Sequence, residues 1–187
     1  MRRVRYNVAA SLDGYIAGPS GEFDWIPADP AVDFAALFAR VDTILVGRRS
    51  YELTRQAGAP PWDPNMRVYL FSRTLRADTN PGVTLVSDDA ERVVAALRAE
   101  QGDGEIWLFG GGTLFRSLLA AGQVDAVEVT IVPVLLGGGT PLLPPGAPAT
   151  ELALTGTHVY PTGMVTLSYT VARASVTIEP GRPDSRG

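Results

Sequence analysis

Apolar positions along the chain fall into short runs that alternate with segments of helical spacing, until strands alone remain near the end. Val4 to Ala10 alternates and breaks at Ser11-Leu12-Asp13-Gly14, which predicts a first strand entering a turn. Tyr15-Ile16-Ala17 leads into Gly18-Pro19-Ser20-Gly21, so the stretch up to Pro27 reads as a long loop carrying Phe23, Trp25 and Ile26. Val32, Phe34, Ala35, Leu37, Phe38 and Val41 keep helical spacing and predict an amphipathic helix over 29–40, with Asp29 as its cap and Pro30 in its first turn. Thr43 to Val46 is a short buried strand closed by Gly47, and Arg48 opens a second helix. Arg67 to Phe71 and Val83 to Val86 read as further strands, followed by a helix over 88–100.

The stretch Glu105–Thr113 repeats the strand–glycine–helix junction in its strongest form. Ile106-Trp107-Leu108-Phe109 meets three consecutive glycines, and residues to Ala121 continue with helical periodicity. Beyond Gly122, Ala126–Val134 alternates as a strand, Gly137–Pro141 is a loop, and Glu151–Thr155 and Met164–Val171 read as closing antiparallel strands. Alternating strands and helices followed by strands predict an α/β architecture, a largely parallel sheet with an antiparallel edge. Ligands of such sheets bind beyond the carboxyl ends of the strands. Asp13, Gly47-Arg48-Arg49-Ser50, Ser72-Arg73 and Gly110-Gly111-Gly112-Thr113 all fall at those ends.

Composition narrows the chemistry. The 187 residues suit one domain, expected over 1–175 with a flexible, Pro- and Gly-containing tail over 176–187. All 16 basic residues are arginine, so no lysine can form a Schiff base, and the absence of cysteine removes thiolate nucleophiles and cysteine-ligated metals. His158 is the one histidine, too few for a zinc cluster, and it is read as structural. A net charge of −4 points away from nucleic acid. The basic N-terminus precedes no long apolar run, so the expectation is a cytoplasmic protein without a membrane partner.

Glycines at the helix starts let backbone approach a ligand, and free N–H groups there make a seat for phosphate. Two such seats, at Gly47/Arg48 and Gly111/Gly112, suit an extended dinucleotide. Arg48, Arg49 and Arg73 add forked cationic donors and Ser72 a hydroxyl, charge that NADP uses more fully than NAD. The spacing is not that of the Rossmann G-x-G-x-x-G fingerprint. Proton donors are few: Asp13 at the first strand's end, and Asp29 and Asp33 at the first helix. Their structural readings are turn residue for Asp13 and helix cap for Asp29.

Five motifs in order carry a resemblance: Ser11–Ala17, Leu45–Glu52, Phe71–Leu75, Leu108–Leu114 and Val134–Leu142. Together they resemble the dihydrofolate reductase-like superfamily, in the branch containing the C-terminal reductase domain of bacterial riboflavin biosynthesis proteins. The resemblance implies a three-layer α/β sandwich that binds NADPH and transfers a hydride to a folate-, pterin- or pyrimidine-like heterocycle. It places Ile16 and Ala17 near the nicotinamide, Gly47, Arg48, Arg49 and Ser50 at the pyrophosphate, and Ser72 and Arg73 at the adenosine ribose phosphate. Gly110, Gly111, Gly112, Thr113 and Leu114 would wrap the pyrophosphate and nicotinamide ribose. Substrate contacts are expected from Asp13, Tyr15, Trp25 and Thr130, and Asp13 and Asp33 stand as catalytic candidates, with no metal.

Family relatives are commonly dimers, which makes the late strands with Val132–Leu143 an expected two-fold interface. Riboflavin-pathway reductases usually carry lysine where this chain has Tyr15. The leading expectation is therefore a stand-alone NADPH-dependent reductase. A ribosylaminopyrimidine reductase and a non-catalytic NADP-binding module are the alternatives.

Overall fold

The computed structural model describes residues 1–58, 62–147 and 149–172. In chain order the elements are β1 (Val4–Ser11), β2 (Tyr15–Ala17), α1 (Phe34–Arg40), β3 (Val41–Gly47), α2 (Arg48–Gln56), β4 (Arg67–Phe71), β5 (Thr84–Val86), α3 (Ala90–Ala99), β6 (Glu105–Gly110), α4 (Gly112–Ala120), β7 (Ala126–Val132), β8 (Thr140–Pro141), β9 (Leu152–Val159) and β10 (Val165–Val171). Eight strands form one sheet in the order β5-β4-β3-β6-β1-β7-β10-β9. Every neighbouring pair from β5 to β7 is parallel, and the pairs β7–β10 and β10–β9 are antiparallel. This is the expected α/β sandwich, parallel with an antiparallel C-terminal edge. The tail over 176–187 lies outside the described residues.

Helices cover both faces of the central strands. On one face α3 and α4 set Val94, Leu97, Phe115 and Leu118 against Val4, Tyr6, Leu45, Ile106 and Leu108. On the other, α1 and α2 set Leu37 and Tyr51 against Ile44, Val46, Leu70 and Trp107. Successive strand residues point to opposite faces, so Ile106 and Leu108 join one cluster while Trp107 joins the other. Burial on both faces explains the continuous apolar runs of β3 and β6. Each fully buried Leu or Ile contributes roughly 1.5–3 kcal/mol, which makes these central strands the anchor of the fold.

The outer strands differ. In β1 and β7, Tyr6, Val127 and Val129 face the α3/α4 core. The alternating positions Arg5, Asn7, Glu128 and Thr130 occupy the opposite face, where α1 and α2 do not extend. Their polarity follows from that lack of a helical cover.

Two local boundaries depart from expectation. The first helix begins at Phe34, and Asp33 caps it by accepting from the Ala36 N–H at 2.8 Å. Asp29 does not cap it, because its carboxylate is taken by the Ala31 N–H and the Thr162 hydroxyl. In addition, Tyr15–Ala17 and Thr140–Pro141, both expected as loop, pair as a two-stranded antiparallel ribbon.

Candidate active site

A cleft of about 1610 Å³ runs along the carboxyl ends of β3, β4, β5 and β6 and across the uncovered face of β1, β7 and β10. Ile16, Ala17, Gly47, Arg48, Arg49, Ser50, Ser72 and Arg73 all line it. So do Gly110, Gly111, Gly112, Thr113 and Leu114. The fold thus brings together every residue expected on the cofactor side.

Close packing explains the glycines. A Cβ on Gly47 would lie 3.3 Å from the Gly111 nitrogen, and one on Gly111 would lie 3.1 Å from the Ser50 hydroxyl. The two strand–helix junctions therefore back onto one another. Gly110 has φ +144°, a conformation that favours glycine. Gly112 is tighter still, because a Cβ there would meet the Pro141 carbonyl oxygen at 2.7 Å. Gly47 and Gly111 are the N-caps of α2 and α4, and neither helix start has a side-chain cap. Their first N–H groups are open to an anionic group.

Charge at this end is partly committed. Arg48 pairs with Glu52 at 3.3 Å on the same helix. Arg49 and Arg73 are exposed and have no acidic partner among the described residues. Ser72 is buried, and its hydroxyl accepts from the Thr74 and Leu75 N–H groups, fixing the turn that presents Arg73. This combination of open N–H groups, close backbone and free arginines fits a dinucleotide phosphate chain.

The other half of the cleft is built by side chains on paired strands. Asn7 lies opposite Glu128, Ala9 opposite Thr130, and Thr130 and Glu128 lie opposite Thr166 and Ser168 of β10. His158 of β9 lies opposite Thr166. The Asn7 amide donates to Glu128 Oε1, while Arg5 and Ser168 donate to its Oε2 at 3.2 and 3.1 Å. Arg5 is buried and holds Glu105 with two bonds of 2.8 and 2.9 Å, which keeps the Glu105 carboxyl below its ordinary range. The Thr130 and Thr166 hydroxyls are 2.7 Å apart, and Thr166 reaches the Tyr160 hydroxyl at 3.4 Å. His158 packs edge-on to Tyr160 with ring centroids 4.4 Å apart.

Of the expected substrate contacts, Thr130 lines this cleft and Asp13, Tyr15 and Trp25 do not. Asp13 is exposed and ties loops together, accepting from the Ser11 hydroxyl at 2.6 Å and from the Gly137 and Leu136 N–H groups at 2.7 and 3.1 Å. These donors, the Ser11 hydroxyl foremost, hold its carboxyl below the ordinary range. Tyr15 pairs with Pro141 in the small ribbon. The Trp25 indole donates to the Glu22 carbonyl. Asp33 reaches the cleft rim but serves as the α1 cap. Asp29 lines the cleft and is buried, with its carboxyl held low chiefly by the Thr162 hydroxyl at 2.6 Å.

Asn7, Glu128, Tyr160 and Thr166 were not singled out from the sequence, and His158, read there as structural, also lines the cleft. The signal for two of the site residues was present. In Ala126–Val132 the alternation puts Glu128 and Thr130 on the face opposite Val127 and Val129.

A sequence profile of the RibD C-terminal domain matches residues 2–166. The chain belongs to this family. It is 32% identical over 179 residues to the uncharacterised protein YyaP of Bacillus subtilis, covering 90% of this chain and 94% of that one. A candidate riboflavin biosynthesis protein from Shewanella sp. PV-4 superposes with a TM-score of 0.79 at 28% identity, over 92% of this chain and all of that one.

Two further structures share the fold at 18% identity. One is a diaminohydroxyphosphoribosylaminopyrimidine deaminase/5-amino-6-(5-phosphoribosylamino)uracil reductase from Thermotoga maritima, with a TM-score of 0.67 over 91% of this chain and 57% of that one. The other is Enterococcus faecalis dihydrofolate reductase complexed with NADP(H), with a TM-score of 0.64 over 90% and 96%. The RibD C-terminal domain family thus occupies a fold shared with pyrimidine- and folate-type reductases.

Proposed function

We propose that this RibD C-terminal domain protein is an NADPH-dependent reductase that passes a hydride to a folate-, pterin- or pyrimidine-like heterocycle. The observation that carries the reading is the meeting of two uncapped helix N-termini across Gly47 and Gly111, with Arg49 and Arg73 unpaired among the described residues at the same end of the cleft. Gly47–Ser50 and Gly110–Leu114 would hold the pyrophosphate and its ribose, Ser72 and Arg73 the adenosine ribose phosphate, and Ile16 and Ala17 the nicotinamide side. The bound cofactor supplies the hydride, and the protein supplies orientation. A single small ligand fills about 300–1,000 Å³, so a cleft of 1610 Å³ supports two occupants side by side.

The residues of this chain then divide the remaining work. Thr130 and Thr166 offer hydroxyls to the substrate. Asp13 and Asp29, both held low, stay ionised at neutral pH and are poor proton donors there. Of the three candidate acids from the sequence, Asp29 and Asp33 reach the cleft and Asp13 does not. The same commitment of the acids favours a second reading, an NADP-binding module without turnover.

Loss of nicotinamide absorbance with dihydrofolate, dihydropterins and aminopyrimidines as substrates tests the proposal. Oxidation with one of these classes supports a reductase. Tight NADPH binding without oxidation in any of them supports the module instead. We also propose a second copy of the chain as partner, because β9 is an edge strand whose Leu152, Leu154 and Val159 are exposed. Sedimentation as a monomer at micromolar concentration would contradict that pairing.

A further inference from the structure

The sheet order sorts the charges of the cleft. At the β5–β6 end lie Arg48, Arg49 and Arg73, with Asp88 and Asp89 beside β5. Across β1, β7, β10 and β9 the lining acids are Glu128 on the floor and Asp29 and Asp33 on the rim. The cations that face this second half are Arg5, Arg40 and, when protonated, His158. Arg5 shares the face of Asn7 and Glu128 without lining the cleft, bonded in two places to Glu105 and in one to Glu128. Arg5, Glu105 and Glu128 together carry a formal charge of −1. Arg40, at the end of α1, acts on Glu105, lowering its pKa further. His158 stands against the Tyr160 ring and is the least of the influences that hold the Asp29 carboxyl low.

Glu128 is held but not used up. Its side chain is 17% exposed and lines the cleft. A carboxylate offers about four acceptor positions, and Asn7, Arg5 and Ser168 occupy three. The remaining one, on Oε1, has no partner among the described residues. Beside it, the hydroxyls of Thr130 and Thr166 can rotate to donate or accept. An aromatic wall stands close by: Phe34 and Trp107 line the cleft, joined through Phe38, and the Trp107 indole donates to the Asn7 carbonyl.

We propose that Glu128 is the substrate-recognising carboxylate, and that the substrate is an unphosphorylated amino-heterocycle presenting N–H donors to it. The proposal rests on the reductase reading and goes beyond it by separating this chain from reductases of phosphoribosylated pyrimidines. A phosphate in this half would meet Glu128, Asp29 and Asp33 with Arg40 as the one arginine lining it, while Arg49 and Arg73, unpaired among the described residues, lie at the other end. An amidine-like edge, in contrast, gains a charge-assisted bond to a carboxylate already oriented by Arg5 and Asn7.

Calorimetric titration of the NADPH-loaded protein tests this, with 2,4-diaminopyrimidine, uracil, uridine and uridine 5′-phosphate as probes. Diaminopyrimidine should bind at least about tenfold more tightly than uracil, the size of one charge-assisted bond, and uridine more tightly than its phosphate. Glu128→Gln should abolish the preference for diaminopyrimidine and leave NADPH affinity unchanged. Diaminopyrimidine binding no better than uracil, a preference that survives Glu128→Gln, or tighter binding of the phosphate each overturns the proposal. The wild-type comparisons decide the matter even where the variant does not fold. Failure of NADPH itself to bind overturns the reductase reading and the proposal with it, whereas NADPH binding with indifferent probes overturns the proposal alone.

Discussion

The two halves of the cleft are made of different material. At the β3–β6 end the walls are backbone: glycines at two helix starts, packed so closely that added Cβ atoms on Gly47 and Gly111 would press on one another's surroundings. Across β1, β7 and β10 the walls are side chains on a paired ladder, with Asn7 facing Glu128 and Thr130 facing Thr166. A backbone site tolerates little change in its glycines and binds whatever presents a phosphate chain. A side-chain site can be re-specified one residue at a time. The backbone end is therefore the harder of the two to change, and the side-chain end the easier.

The largest expected effect breaks the side-chain half. Arg5→Met removes the buried cation between Glu105 and Glu128, leaving two half-buried carboxylates without it. Loss of one partner from such a group costs about 3–5 kcal/mol, visible as a lowered urea midpoint. A loss below roughly 1 kcal/mol would mean that the pair is solvated like a surface bridge.

Gly112→Ala challenges the backbone half. Its Cβ would press on the carbonyl oxygens of Pro141 and Leu142 and on the Pro144 ring, at 2.7, 3.1 and 2.9 Å. Overpacking of this kind costs roughly 1–3 kcal/mol and should also weaken NADPH binding. Unchanged stability and binding would show that the β8 segment yields freely.

A smaller effect concerns the loop tie between the turn after β1 and the loop after β7. Asp13 is depressed below its ordinary value of 3.8, so its hold on Leu136 and Gly137 is complete above that pH and is lost as pH falls through the lower folded value. Amide exchange at Leu136 and Gly137 should accelerate selectively once pH falls below the ordinary carboxyl value of 3.8, ahead of β3 and β6. Exchange that speeds up equally across the sheet would place the acid sensitivity elsewhere.

The difference between the halves also explains what could be read from the chain. The cofactor end rests on local signals: an apolar run, glycines, then helical spacing with arginines, all within about a dozen residues of one another. Strand order then needed only the α/β rule to bring Gly47, Ser72 and Gly110 together. The side-chain end depends on register between distant segments. Asn7 meets Glu128 only because β1 and β7 pair in parallel with Tyr6 opposite Val127, and nothing local to either strand states this. The Asp13 loop tie was illegible for the same reason, since its partners Leu136 and Gly137 lie more than a hundred residues away. The helix start slipped from Asp29 to Asp33 because Thr162, across the fold, claims the Asp29 carboxylate.

The sharpest test of the cofactor assignment is the pair of dissociation constants for NADPH and NADH, measured on the wild-type protein and on Arg73→Ala. Arg73 is exposed and free of acidic partners among the described residues, so its removal should leave the fold unchanged. NADPH affinity should fall about tenfold, the worth of one charge-assisted phosphate contact, and NADH affinity should stay within about twofold. Equal losses for both cofactors, or no loss for either, would contradict the placement of the ribose phosphate at Ser72–Arg73.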